Sequence, residues 1–171
     1  MPATSSSPWR FVPTLYFAEG VPYVVVNSVS VILYKDLGVA NDTLAFWTSL
    51  LYLPWVVKML WGPLVDTRAT KRRWILGTQL AMAGCLAALA VALGAPSWFA
   101  ATLVVFSIAA FVSATHDVAA DGFYLHALDA RAQAYFVGVR TLFYRAAMIF
   151  GSGLLVVIAG RLAREVGVVR A

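Results

Sequence analysis

The sequence predicts an all-α integral membrane protein with about five transmembrane helices. Of its 171 residues, 61% are hydrophobic and only 12% are charged, whereas a soluble domain is usually about 45–50% apolar and about 25% charged. So many apolar side chains require lipid as their solvent, and inside lipid every backbone polar group must be hydrogen-bonded, as it is in a helix. The apolar residues also fall into runs close to the roughly 20 residues that cross a bilayer.

Five apolar runs, separated by short loops, define the predicted spans. They cover residues 11–33, 43–65, 74–93, 98–125 and 132–159, between an N-terminal tail of residues 1–10 and a C-terminal tail of residues 161–171. Gly20 and Pro22 interrupt the first run, which is too long for a signal peptide and is expected to be a retained helix. Because the loops are short, consecutive helices are expected to pack as antiparallel neighbours in one bundle.

Small residues at four-residue spacing predict close helix contacts. Gly84 and Ala88 form one such pair in the third run, and Ala147 and Gly151 form another in the fifth. Small side chains let neighbouring backbones approach each other in a membrane. Both pairs are therefore expected to face another helix.

The basic residues predict the orientation. Arg68, Lys71, Arg72 and Arg73 lie in the loop between the second and third runs, whereas the turn at residues 94–97 holds no basic residue. Cytoplasmic loops carry an excess of Lys and Arg, so this loop and the N-terminal tail are expected in the cytoplasm. This concentration in one membrane loop also argues against a nucleic-acid partner, which the net charge of +5 could suggest.

The cysteine content limits cofactors. Cys85, the single cysteine of the sequence, lies inside the third run. An intrachain disulfide or a cysteine-based metal site is therefore excluded. We expect neither a metal nor another cofactor.

Ionisable residues inside the spans are the candidate functional residues. They are Glu19, Lys58, Asp117, Asp121, Arg140 and Arg145, with Asn27 and His116 as polar neighbours. A charge at mid-bilayer costs on the order of 3 kcal/mol on insertion scales, so three acids and three bases are expected to pair. Counting about 1.5 Å of rise per residue puts charges from four helices at one level in the cytoplasmic half. Those four are Glu19, Lys58, Asp117 and Arg140.

Two interpretations of these charges stay open. Static ion pairs could lock the bundle, or the charges could form a path for a substrate or for protons, which is the usual role of intramembrane ionisable residues. Asp117 and Asp121 share one helix stripe. Arg140 and Arg145 lie about 140° apart around their helix, so only one of them is expected to pair with the aspartates. Trp55 is expected to serve in packing or at the membrane interface.

The loop after the second run resembles a known signature. Residues 62–66 (Gly-Pro-Leu-Val-Asp), followed by residues 71–73 (Lys-Arg-Arg), resemble the loop between helices two and three of the major facilitator superfamily. In this signature Gly62 would permit a close helix contact, Asp66 would end the helix, and the basic residues would set the topology. Ala69 and Thr70 stand where the family usually has a glycine.

Longer strings resemble one branch of that superfamily, the acetyl-coenzyme A transporters and the AmpG-type muropeptide permeases. Residues 58–66, 71–74 and 78–79 carry the first string, and residues 115–122 resemble the branch's Gln-Asp-Ile-Ala-x-Asp-Ala/Gly string. His116 stands where the permeases often have glutamine. The break at residues 19–22 is similar to the branch's Gly-x-Pro break, so the resemblance extends over residues 11–160.

The resemblance implies a larger architecture. Members have about twelve helices in two six-helix halves, with the substrate site between the halves near the midplane. Residues 11–160 would form part of the N-terminal six-helix bundle. We therefore expect a fragment or truncated reading frame that lacks the C-terminal half of the transporter.

The resemblance also implies a function, namely proton-coupled import of a small metabolite or a cell-wall muropeptide across a bacterial inner membrane. Glu19, Asp117 or Asp121 would take the proton, and Lys58, Arg140 or Arg145 would contact an anion. The expected partners are then the lipid bilayer, a small-molecule substrate, protons and the missing half.

Two other functions stay open. A structural or assembly subunit without transport activity would use its charges to pair with another chain. An intramembrane enzyme is less expected. Asp117, Asp121 and Gly122 are similar to the paired aspartates of CDP-alcohol phosphotransferases, but their spacing is one residue longer. The fifth run also carries arginines where that enzyme needs acids.

Overall fold

Residues 7–165, the part of the chain described by this computed structural model, contain only helices as regular structure. The α-helices of this part are α1 (Val12–Val24), α2 (Ser30–Asp36), α3 (Asn41–Leu51), α4 (Leu53–Val57), α5 (Gly62–Arg68), α6 (Lys71–Ala92), α7 (Trp98–Ala127), α8 (Ala130–Ile149) and α9 (Val156–Glu165). Short 3₁₀ helices at Pro8–Arg10 and Lys58–Leu60 and π-helical segments at Val25–Val29 and Phe150–Leu155 join some of them. Residues 1–6 and 166–171 of the predicted tails lie outside the described part.

Five helical stretches of the described residues are long and apolar enough to cross a membrane. These are the first to fifth spans, Pro8–Asp36, Asn41–Leu60, Lys71–Ala92, Trp98–Ala127 and Ala130–Ile158. Each overlaps one predicted apolar run, and the prediction of an all-α membrane protein with five spanning helices is confirmed for this part of the chain.

The start of the third span differs from the prediction. The basic residues were expected in a loop, but α6 already begins at Lys71, so Lys71, Arg72 and Arg73 occupy its first turn. The hydroxyl of Thr70 accepts a hydrogen bond from the backbone N–H of Arg73 at 3.4 Å. This N-cap satisfies one of the free donors at the helix start, so the helix extends into the polar segment.

The second span is not the continuous helix that its apolar run predicts. The chain is divided into α3, α4, a 3₁₀ turn and α5, with Pro54 and Pro63 in the first turns of α4 and α5. Proline lacks a backbone N–H and clashes with the preceding turn, so it favours a new helix start over continuation. Asp66 lies within α5, which ends at Arg68, so the prediction that Asp66 ends the helix is wrong.

The first and fifth spans approach each other closely. A Cβ placed on Gly20 would lie 2.7 Å from Cβ of Ala147 and 2.9 Å from the backbone oxygen of Tyr144. A Cβ on Gly151 would overlap the side chain of Val24. The predicted small pair Ala147 and Gly151 is therefore confirmed as a helix contact.

Two other predicted close contacts are wrong. A Cβ on Gly84 would meet no atom within 4 Å, and Ala88 is exposed. A Cβ on Gly62 would lie 3.9 Å from Val118, which is an ordinary van der Waals distance. Small size alone does not place a residue on a helix interface, because small residues are also common on exposed faces.

Buried apolar clusters lie on either side of the middle of the bundle. The Tyr34 cluster consists of Val26, Tyr34, Leu44, Leu51, Met82, Phe106, Ala109 and Ala110. The Tyr16 cluster consists of Val12, Tyr16, Tyr124, Leu128 and Phe136. Along the first and fourth spans, Glu19 and Asp117 fall between the residues of these two clusters. The apolar clusters thus hold the helices together above and below a layer of charge.

Candidate functional site

Two ion pairs tie the second and fifth spans to the fourth. Nζ of Lys58 pairs with Oδ2 of Asp117, and Nη2 of Arg140 lies 3.1 Å from Oδ1 of Asp121. The two aspartates are four residues apart on α7, so they lie on one face, one turn above the other. Side chains from two other spans therefore meet the fourth span at neighbouring levels.

Glu19 brings the first span to the same place. Carboxylate oxygens of Glu19, Asp117 and Asp121 lie within 4.8 Å of one another. We call Glu19, Lys58, Asp117, Asp121 and Arg140 the charge cluster. It contains all four residues that the sequence places at one level, together with Asp121.

Access to the charge cluster is uneven. The side chains of Lys58, Arg140 and Asp121 are 34%, 30% and 37% exposed, whereas that of Asp117 is 14% exposed. Glu19 is 7% exposed, and its Oε2 has no hydrogen-bond partner among the residues that the structure describes. The side chains of Lys58 and Arg140 are therefore accessible from outside the five spans, whereas Glu19 is buried.

Tyrosines complete the Arg140 side of the cluster. The hydroxyl of Tyr16 donates a hydrogen bond of 2.9 Å to Oδ1 of Asp121. The guanidinium carbon of Arg140 lies 4.6 Å from the ring centroid of Tyr16 and 5.3 Å from that of Tyr124. Such cation–π contacts stabilise a cation away from bulk water. Sequence reasoning missed both tyrosines, although Tyr16 precedes Glu19 and Tyr124 follows Asp121 by three residues, which places each pair on one helix face.

An aromatic layer lies one helix turn from the charge cluster. It consists of Tyr23, Tyr52, Trp55 and Tyr144. Tyr23 and Trp55 have ring centroids 5.1 Å apart, Tyr23 and Tyr144 6.0 Å apart, and Trp55 stacks on Tyr52 at 6.2 Å. Along their spans, Tyr23 follows Glu19 by four residues and Trp55 precedes Lys58 by three. The first, second and fifth spans thus each contribute a charge and an aromatic ring to successive levels.

Three predicted site residues lie outside the charge cluster. Nδ2 of Asn27 donates to the carbonyl oxygen of Tyr23 at 3.1 Å, within its own helix. Arg145 is exposed and forms no ion pair with the described residues. His116 is buried and its Nε2 lies 3.4 Å from Nε2 of Gln79 on the third span. As the helix geometry predicts, only one of the two arginines meets an aspartate among the described residues, and it is Arg140.

The residues of the loop signature form their own contacts. Lys71 pairs with Asp66, and a Cβ on Gly122 would lie 2.7 Å from Cε of Lys71. The side chain of Lys71 is therefore laid against the fourth span, where glycine leaves room for it. Arg72 and Arg73 are exposed.

The three carboxylates are close enough to act as ligands of a cation. Asp117 and Asp121, however, already face the ammonium of Lys58 and the guanidinium of Arg140. With all five groups ionised, the charge cluster carries a single excess negative charge. This donor set fits Ca²⁺ or Mg²⁺ poorly, because these ions usually take six or more oxygen ligands.

Comparisons with known proteins find similarity to a permease. Over 154 residues, or 86% of this chain, the sequence is 28% identical to the anhydromuropeptide permease of Escherichia coli strain K12. The anhydromuropeptide permease of Escherichia coli O157:H7 gives the same figures. The matched region covers 30% of each relative, so the chain spans under a third of their length. No family model and no solved structure matches the chain. Similarity to a permease, together with five apolar helices, supports a multi-pass membrane protein.

Proposed function

We propose that the five spans form part of a secondary transporter that uses a proton gradient to import a muropeptide or another small anionic metabolite. The observation that carries this proposal is the charge cluster, in which ionisable groups from four spans meet inside apolar helices. Ionisable residues at such depth are costly, and their usual role is in ion and substrate pathways. The similarity to permeases supports the same class.

The two bases are the proposed contacts for the anionic part of a substrate. Lys58 and Arg140 are each about one-third exposed, although both are paired with an aspartate. A peptide carboxylate of a muropeptide could therefore exchange with an aspartate as the partner of either base. The ion pairs between the aspartates and the bases would then form in the substrate-free state and open when the substrate binds.

The aromatic layer is the proposed contact for the sugar or another flat apolar face of the substrate. Ligand sites commonly combine aromatic walls with a few polar groups that fix orientation. Tyr52 is 47% exposed and stacks on Trp55, so a ring surface is available one turn from Lys58. A molecule that carries both a sugar ring and a carboxylate would fit the two levels together.

The proposed setting is a bacterial inner membrane with the N-terminal tail and the basic turn of α6 in the cytoplasm. Lys71, Arg72 and Arg73 occupy that turn, and basic residues favour the cytoplasmic side. The remaining helices of the transport unit, a C-terminal half among them, would come from further polypeptide, since the permeases are more than three times as long as the matched region.

Uptake measurements in the full-length protein test the proposal. Asp117→Asn removes the charge that faces Lys58, so uptake of radiolabelled anhydromuropeptide into cells should be abolished while the amount of protein in the membrane stays unchanged. Asp36→Asn is the matched control, since Asp36 is exposed at the end of α2 and outside the charge cluster. Unimpaired uptake in the Asp117 variant would reject the proposed role of the cluster.

A further inference from the structure

The charge cluster contains three carboxylates and two bases. Asp117 faces Lys58 and Asp121 faces Arg140, so each aspartate has its own counter-ion. Glu19 has the least access to solvent of the three acids, and its Oε2 has no hydrogen-bond partner among the described residues. A buried carboxylate without a counter-ion or a hydrogen-bond donor is strongly unfavourable. The neutral, protonated carboxyl is the form that this arrangement accommodates.

We propose that Glu19 is the residue that binds the coupled proton. In its ionised form, Glu19 competes with the two aspartates for Lys58 and Arg140. The inference rests on the proposed function, because it assigns the coupling step of that transport cycle to one side chain. It also predicts one proton per cycle, since the cluster has one carboxyl in excess.

The neighbours of Glu19 favour this exchange. Asp117 and Asp121 face it from the fourth span, Arg140 and Tyr144 from the fifth, and Tyr16 lies one turn away on its own helix. Lys58 reaches the cluster through Asp117, beside which the buried His116 lies. No base of the described residues forms an ion pair with Glu19 itself.

The proton balance of the step is simple. A proton enters from the side of high proton concentration and binds a carboxylate oxygen of Glu19, which leaves both ion pairs intact. When the proton leaves to the other side, the carboxylate of Glu19 draws Arg140 or Lys58 from its aspartate. The loss of that ion pair weakens the contact between the fourth span and the neighbouring span. Protonated Glu19 therefore favours one arrangement of the spans and ionised Glu19 favours another, and alternating access requires two such arrangements.

The chain offers a direct spectroscopic test. The full-length protein is labelled with ¹³C at the glutamate side-chain carboxyl, and solid-state NMR in lipid vesicles at neutral pH should show a protonated carboxyl signal. Glu19→Gln should remove that signal, and Glu165→Gln, a change at the other glutamate of this sequence, should keep it. Identical protonated carboxyl signals in the unmodified protein and in Glu19→Gln, or no such signal in either, would overturn the inference.

A transport measurement separates this inference from the proposed function. In vesicles that contain the full-length protein, the readout is the ratio of anhydromuropeptide uptake with an inward proton gradient to uptake without it. Glu19→Gln should lower the ratio to unity, and Glu19→Asp should keep part of it. A ratio of unity in the unmodified protein, or uptake driven by sodium instead, would reject proton coupling itself. If both variants keep the ratio of the unmodified protein, the assignment of the coupled proton to Glu19 is rejected, whereas the proposed transport function is not.

Discussion

Tyr16 of the first span donates a hydrogen bond of 2.9 Å to Asp121 of the fourth, 105 residues further along the chain. The same tyrosine ring lies against the guanidinium of Arg140, the ion-pair partner of Asp121. One aromatic side chain thus contacts both members of an ion pair inside the spans. Its hydroxyl and its ring can be removed separately, which gives a first prediction.

Tyr16→Phe should destabilise the chain modestly, because it removes the hydroxyl and keeps the ring against Arg140. Hydrogen bonds between membrane helices contribute about 0.6 kcal/mol on average, so we expect a loss of about 1 kcal/mol or less. Tyr16→Leu should cost more, because the cation–π contact is lost as well. Unfolding in mixed micelles measures both, and equal losses would show that the ring contact contributes nothing.

The Lys58 and Asp117 pair predicts a rescue. Lys58→Met leaves Asp117 without its base, and a partly buried group that loses its hydrogen-bond partner costs about 1–3 kcal/mol. Adding Asp117→Asn removes the unpaired charge, so the double variant should recover part of the lost stability. The measurement is the free energy of unfolding of both single variants and the double variant. Strictly additive losses would contradict an interaction between these two side chains.

The contact between the first and fifth spans predicts a steric effect. Gly20→Val places atoms where Cβ of Ala147 and the backbone oxygen of Tyr144 already lie within 3 Å. Overpacking of this kind costs about 1–3 kcal/mol or more, since a backbone oxygen cannot rotate away. Gly84→Val is the matched control, because a Cβ there meets no atom within 4 Å. Equal thermal stability of the two variants would contradict the described packing.

The aromatic layer predicts a change in substrate affinity. Trp55→Ala should raise the KM for anhydromuropeptide about threefold to tenfold in the full-length protein, because aromatic contacts contribute about 0.5–1.5 kcal/mol beyond their buried area. Trp55→Phe should restore part of the affinity. Trp47→Ala is the control, since Trp47 lies on the second span outside the layer. A KM that responds equally to both alanine variants would argue that Trp55 acts in packing alone.

The sequence predicts well what depends on composition along the chain. Apolar runs locate the five spans, and their lengths put Glu19, Lys58, Asp117 and Arg140 near one level. Helix geometry also separates Arg140 from Arg145. These inferences need only the rise per residue and the period of the helix.

Other features depend on neighbours that one sequence does not reveal. The breaks beside Pro54 and Pro63 lie within an apolar run that hydropathy describes as uniform. Tyr16 and Trp55 resemble packing residues until the charges next to them are placed. Gly84 has the spacing of an interface glycine, but a Cβ on it would meet none of the described residues within 4 Å. The packing of the whole bundle decides which face of each helix turns inward. One sequence therefore reveals neither that Tyr16 and Tyr124 contact the charge cluster nor that Gly84 and Ala88 lie on an exposed face.

The orientation gives a prediction that can be measured on the chain itself. In a background that carries Cys85→Ala, single cysteines are placed at Arg72, in the first exposed turn of α6, and at Ser97, before α7. Because the third span separates these two positions, they should lie on opposite sides of the membrane.

A thiol reagent that does not cross the inner membrane should label the Ser97→Cys variant in intact bacterial cells. It should label the Arg72→Cys variant only after the cells are opened, because basic residues are retained on the cytoplasmic side. Labelling of Arg72→Cys alone in intact cells would reverse the proposed topology and would place the N-terminal tail outside.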